Sequence, residues 1–140
     1  MKLMIIGSMT FAKEMVEIKK KLEQLGHSVM MPCDTEFHVE NETVIDNLEE
    51  DFKHLTENDI LRKCFNLVAQ SDAILVLNKP KYSISGYIGT STLMETGLAY
   101  YLGKKIFILH DVPSSDECRW AHEIKVMQPA IINEDFSLVK

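Results

Sequence analysis

Lys2-Leu-Met-Ile-Ile-Gly7 is a short apolar run halted by a glycine, and the residues after it decide the fold. Phe11, Met15, Ile18, Leu22 and Leu25 recur at spacings of four, three, four and three, with Lys19, Lys20, Lys21 and Glu23 mostly on the other face. That period lays one apolar stripe along a helix. Ser8 or Thr10 can cap its start, and Gly26 stands where a left-handed terminating residue belongs. Ser28–Met31 reads as a second strand, stopped by Pro32. Strand, helix and strand in this order form a βαβ unit, so the crossover is expected to be right-handed and the strands parallel.

The alternation continues to the end of the sequence. Ala73–Leu77 and Lys105–Leu109 are continuous apolar runs, as expected of parallel strands covered on both faces. Between them lie a loop over Asn78–Thr90, with Pro80, Gly86 and Gly89, and a helix over Ser91–Leu102 that ends at Gly103. A helix beginning at Thr56 presents Ile60, Leu61, Cys64, Phe65 and Val68 on one face, and Thr56-x-x-Asp59 has the spacing of a capping box. His110–Ser115 reads as a loop, Asp116–Lys125 as a helix capped by Ser114 or Ser115, and Ala130–Ile132 as a last strand. The expected architecture is one α/β domain over residues 1–140, a flavodoxin-like (Rossmann-like) sandwich with a mostly parallel five-stranded sheet. The expected strand order is 2-1-3-4-5, with ligands bound beyond the carboxyl ends of the strands near the switch between strands one and three.

Charge is unevenly distributed. Fifteen basic and 21 acidic residues give a net charge of −6, yet eight of the acids and no Lys or Arg fall between Asp34 and Asp51. This stretch has few apolar residues and no clear period, so it reads as an exposed acidic insertion over about residues 34–55, partly helical toward Val44–Phe52. Arg62 and Arg119 are the only arginines, too few for the basic stripe that a nucleic-acid polymer requires. Hydrophobic residues make up 46%, enough for a core without disulfides or a structural metal. No apolar run approaches the roughly 18–20 residues of a membrane span, and the start is too short for a signal peptide. A cytoplasmic protein with no membrane partner is expected. Cys33, Cys64 and Cys118 suit free thiols in a reducing compartment, and neither they nor the five histidines show metal-ligand spacing. No metal or cofactor is expected.

Three features carry chemistry. The turn Gly7-Ser8-Met9 leads from strand one into helix one, where free amides and the helix dipole suit a phosphate or carboxylate. Glu95 is the only charge in Ser91–Gly103, a helix apolar on nearly all sides and therefore expected to be buried on nearly all sides. It lies one turn from the helix start, at the sheet edge where ligands bind, and such a carboxylate is a candidate nucleophile or acid/base. The preceding loop offers Gly86 and Gly89 for tight turns, Tyr87 for stacking on a base or sugar, and Ser91 at the helix entrance. Asp59 is a second candidate catalytic carboxylate, with helix capping as its other explanation. His110 follows a core strand at its carboxyl end, which would bring it near the same cleft.

Ile5-Ile-Gly-Ser8, Ser71-Asp-Ala-Ile-Leu-Val-Leu77, Ser91-Thr-Leu-Met-Glu95-Thr-Gly-Leu-Ala-Tyr100 and Leu102-Gly-Lys-Lys-Ile-Phe107 together resemble the nucleoside 2-deoxyribosyltransferase family. Its superfamily includes the 2'-deoxynucleoside 5'-phosphate N-hydrolases. The resemblance implies that Glu95 attacks C1' of the sugar, expels the base and forms a glycosyl-enzyme, resolved by water or a second base. It implies that Gly7, Ser8 and Met9 hold the sugar or a 5'-phosphate, that Gly86, Tyr87, Gly89 and Ser91 shape the base and phosphate loop, and that the protein is a homodimer. The transferases' Asp-x-Gly is absent before the helix, where Gly89 and Ser91 stand, which tilts the expectation toward hydrolysis. The hydrolases' Arg after Gly-Ser is also absent, replaced by Met9-Thr10-Phe11. Counting back eight residues from Asp72, where both groups carry an Asp, gives Cys64. A non-catalytic nucleotide-binding module with the same cleft is the alternative.

Overall fold

In a computed structural model describing residues 1–140, the apolar runs pair into one all-parallel sheet. β1 (Lys2–Gly7) lies between β2 (Ser28–Met30) and β3 (Ala73–Leu77), and β4 (Lys105–Ile108) and β5 (Ala130–Ile131) complete the order β2-β1-β3-β4-β5. The registers align Ile5 with Leu75 and Leu75 with Phe107. Side chains alternate across the strands, so each face needs its own helical cover. Leu3, Ile5, Leu75 and Leu77 pack against Met15, Ile18 and Leu22 of α1 (Ala12–Gln24). Met4, Ile6, Ile74 and Val76 pack on the opposite face with Val68 of α4 (Ile60–Gln70), Ala99 of α5 (Thr90–Tyr101) and Ile124 of α6 (Trp120–Val126). This is the flavodoxin-like order expected from the βαβ opening. No helix is long and apolar enough to cross a membrane.

Ser8 caps the short 3-10 turn Met9–Phe11 that leads into α1, accepting from the Thr10 amide at 3.3 Å. Gly26 and Gly103 end their helices with φ of 92° and 67°, as expected. Asp72 Oδ2 accepts from the Lys2 amide at 2.7 Å and so ties the start of β3 to β1.

The acidic segment departs in part from expectation. It folds into α2 (Thr35–Glu40), a 3-10 turn at Val44–Asp46 and α3 (Leu48–Glu57), and Asp34, Thr35 and His38 are buried. It is partly helical and largely exposed, as expected, and α3 buries no residue, but its start at Asp34–His38 is a buried wall of the molecule. Asn47 caps α3 by accepting from the Glu50 amide, and Glu49, Glu50 and Asp51 occupy the first turn, where the dipole favours carboxylates. The expected helix start at Thr56 is wrong. Thr56 lies within α3 and its hydroxyl donates back to the Phe52 carbonyl at 2.8 Å. Asp59 adopts a left-handed φ of 48°, which separates α3 from α4, and its side chain makes no cap hydrogen bond. Asp116–Lys125 also shortens: Ser114 Oγ accepts from the Glu117 amide in a turn, and α6 begins only at Trp120. Finally, α5 is not buried on nearly all sides. Thr92, Glu95, Thr96 and Ala99 face inward, whereas Met94, Tyr100 and Tyr101 are exposed.

Candidate functional site

The carboxyl ends of β1 and β3 open into a cleft of about 630 Å³. Its first wall is the turn after β1. An added Cβ on Gly7 would stand 3.0 Å from the Leu77 carbonyl oxygen and 3.2 Å from Met15 Cε, so a side chain here would crowd β3 and α1 by a few tenths of an ångström. Ser8 and Met9 follow at the cleft surface. The second wall is the start of α5. Its N-cap is Gly89, which offers no side-chain acceptor, so the first amides of the helix remain available to an anion beside Thr90, Ser91 and Thr92.

Glu95 stands on the buried stripe of α5 with Thr92, Thr96 and Ala99. Thr96 returns its hydroxyl to the Thr92 carbonyl at 2.7 Å, which leaves it nothing to give Glu95. The Glu95 side chain lines the cleft, is 7% exposed, and has no hydrogen-bond or ion-pair partner within the protein. Burial pushes its carboxyl up to about 8, and the negative charge of Asp34 adds to the effect. A largely buried carboxyl group with no partner in the protein has no hydrogen-bonding or ion-pairing role in holding the fold. Its place in the cleft makes it a candidate functional group.

The third wall comes from the loop after β3. Asn78 is buried and holds the loop's base: its amide donates to the His110 carbonyl at 2.7 Å while its Oδ1 accepts from the His110 amide at 2.9 Å. Lys81 and Ile84 then close a tight turn through two backbone hydrogen bonds of 3.2 and 2.9 Å. The turn's central residues, Tyr82 and Ser83, both have left-handed φ, 52° and 59°. Neither is glycine, so the turn holds roughly 1–3 kcal/mol of strain per residue. It projects Lys81 over the cleft, where Nζ donates to Ser8 Oγ at 3.0 Å. Lys81 is the only Lys or Arg lining the cleft, opposite Asp34, Asp51, Asp59 and Glu95.

Of the residues expected at a site, Gly7, Ser8, Met9, Asp59, Tyr87, Gly89, Ser91 and Glu95 all line this one cleft. Gly86 does not. Its φ is 72° and an added Cβ would fall 2.0 Å from the Asp111 carbonyl oxygen, so its role is to let two loops touch. Gly86→Ala is expected to destabilise the fold by about 3 kcal/mol in urea denaturation. His110 is also outside the cleft; its Nε2 pairs with Glu134 at 3.4 Å. Asp59 lies at the exposed rim, paired with Arg62 at 3.2 Å. No protein-family model, curated protein or solved structure matches the chain.

The sequence reading missed the cleft's fourth wall. Asp34 Oδ2 accepts from His38 Nε2 and from His54 Nε2, each at 3.0 Å; Asp34 and His38 are buried and His54 is partly buried. Burial alone would raise the Asp34 carboxyl, but the hydrogen bonds from His38 and His54 outweigh it and hold it below the ordinary carboxylate range. Burial raises Asp51 on the same wall. Burial also pushes the Cys64 thiol up to about 12, so it is an inert thiol at neutral pH. Asp34 and His38 are four residues apart, a spacing that puts two side chains on one helix face and could have marked this wall.

Proposed function

We propose that the cleft binds a nucleoside or nucleoside 5'-monophosphate and breaks its N-glycosidic bond, with Glu95 as the nucleophile. The observation that carries this reading is the buried, unpaired Glu95 carboxyl in one cleft with the Lys81–Ser8 pair and the start of α5, groups suited to an anion. The volume, about 630 Å³, is ordinary for a small-molecule site. Tyr87 lies edge-on to Tyr82 and to Trp120, an aromatic cluster on which a base or sugar can rest. Lys81 supplies the positive charge that the resemblance would have placed on an arginine after Gly-Ser. In the reaction, a Glu95 oxygen bonds to C1', the C1'–N bond breaks with its electron pair leaving on the base, and the base takes up a proton. Water then cleaves the glycosyl ester and restores Glu95. Incubation with a panel of nucleosides and monophosphates should release free base from at least one; silence across the panel would end the enzymatic reading.

Two further expectations follow from the charges. Lys81→Ala should raise KM for monophosphates by roughly 10–100-fold and leave nucleosides within about two-fold, since a charge-assisted hydrogen bond to phosphate is lost. Equal losses for both substrate types would remove Lys81 from the phosphate site. The nucleophile must be ionised, and Glu95 ionises at about 8, so kcat/KM should climb roughly ten-fold per pH unit up to that value and then level off. A profile flat from pH 5 to 8 would exclude a carboxylate with this titration.

A second reading, nucleotide binding without turnover, is favoured by the same titration, because the carboxyl of the empty site is mostly protonated at pH 7. Ligand-induced rises in melting temperature without base release would select it.

A further inference from the structure

The acidic wall gathers donor atoms of a kind that the glycosidic reading does not use. Asp34 precedes α2, His38 lies one turn along it, and His54 comes from α3. Their ligating atoms all lie within 4.8 Å of one another, with the two imidazole Nε2 atoms each 3.0 Å from the same Asp34 oxygen. In a tetrahedral site with metal bonds of about 2.0–2.1 Å, neighbouring donors stand roughly 3.3–3.4 Å apart. The two nitrogen–oxygen distances fall only a few tenths of an ångström short of that spacing.

The rings are already aimed. Phe37 stacks on His54 with centroids 4.0 Å apart and meets His38 edge-on at 5.2 Å. The two imidazoles are nearly perpendicular, at 89°, and both direct Nε2 at Asp34. His38 Nδ1 is buried and has no hydrogen-bond partner, so it carries the ring proton unpaired when Nε2 turns from Asp34 to a metal. Asp34 and His38 line the cleft, which leaves a fourth direction open to it.

We infer that Asp34, His38 and His54 form a binding site for one divalent transition-metal ion of the zinc class, with its remaining coordination position facing the cleft. Two nitrogens and one carboxylate disfavour magnesium and calcium, which take all-oxygen shells. Three protein ligands with an open fourth position are the pattern of reactive rather than purely structural zinc. Because His38 Nδ1 lacks a supporting acceptor, the affinity should fall roughly 10–100-fold short of a site with a complete outer shell. A rival donor set shares Asp34: Cys33 and Cys64 also bring their sulfurs within 4.8 Å of its carboxylate. Cys33 is exposed, whereas both imidazoles already direct Nε2 at Asp34 from 3.0 Å, which ranks the sulfurs behind them. The inference is independent of any activity at Glu95, since its readout is metal uptake.

The test is titration of the chelator-stripped full chain with Zn2+ and with Co2+. One ion should bind per chain. Zn2+ should raise the melting temperature where Mg2+ does not, and bound Co2+ should give visible tetrahedral bands without a near-ultraviolet thiolate charge-transfer band. His54→Gln should weaken binding roughly ten-fold or more, while Cys64→Ser should leave it within about two-fold. The inference is overturned by no uptake of either ion, by a thiolate band on the native protein, or by binding that survives His54→Gln and disappears in Cys64→Ser. Should His54→Gln fail to fold, the stoichiometry and the cobalt spectrum of the native chain decide alone.

Discussion

Glu95→Gln should cut base release by at least about 10³-fold and, at pH 7, make the protein about 3 kcal/mol more stable. The two effects have one origin. The Glu95 carboxyl titrates near 4.5 when the chain is unfolded and at about 8 in the folded cleft. Below 4.5 both states hold the proton and no stability is lost. Between those values the unfolded chain gives up the proton while the native state keeps it, so native stability drops by about 1.4 kcal/mol for each pH unit. Glutamine fills the same space, carries no titrating proton and escapes that loss. It also cannot attack C1'. Urea denaturation at several pH values checks the stability half: the gap between variant and wild type should be near zero at pH 4 and widen steadily to pH 8. A gap that does not change with pH would mean that Glu95 is not held protonated by burial. A residue conserving fold would show the opposite pattern, with stability lost on substitution; gain of stability with loss of function marks a group kept for chemistry.

Asp34→Ala should destabilise the protein by about 3–5 kcal/mol at pH 7, the largest stability loss anticipated for any single change on the cleft. The carboxylate is the only hydrogen-bond partner of both His38 Nε2 and His54 Nε2. Its removal strands two polar groups in a wall whose side chains are 2% and 11% exposed. The pH dependence has the opposite sign to that of Glu95. Because the folded Asp34 carboxyl lies below its ordinary value of 3.8, its contribution is present above that value and is lost as pH falls through the lower folded one. The wild type should therefore lose its advantage over Asp34→Ala in acid. Denaturation curves of both proteins from pH 7 to pH 2 provide the check, and an advantage that persists undiminished at pH 2 would contradict the account.

The sheet was legible because its evidence is local. Lys2–Gly7, the stripe on α1 and Gly26 announce a strand, a helix and a stop without reference to distant residues. Once strand order is known, the positions of Gly7, Ser8, Gly89, Ser91 and Glu95 at one sheet edge follow from connectivity. The acidic segment was illegible for the converse reason. Asp34 meets His54 across 20 residues, and α2 is too short, at six residues, to display a period. A run of acids looks solvated in sequence, yet here one of them is buried because two imidazoles satisfy it. Thr56-x-x-Asp59 has the spacing of a cap, but Asp59 takes a left-handed backbone and Thr56 bonds back into α3, so the motif spans a break between helices. Lys81 was invisible because its importance depends on a strained turn that aims it at Ser8, 73 residues away in sequence.

The central claim is that Glu95 bonds covalently to a sugar, and mass spectrometry of the protein quenched during reaction with a 2'-fluorinated nucleoside or nucleotide addresses it directly. The expected result is a mass gain equal to the sugar without its base, mapped to Glu95 and matched mole for mole by free base. Release of base with Glu95 unmodified, and undiminished in Glu95→Gln, would contradict it.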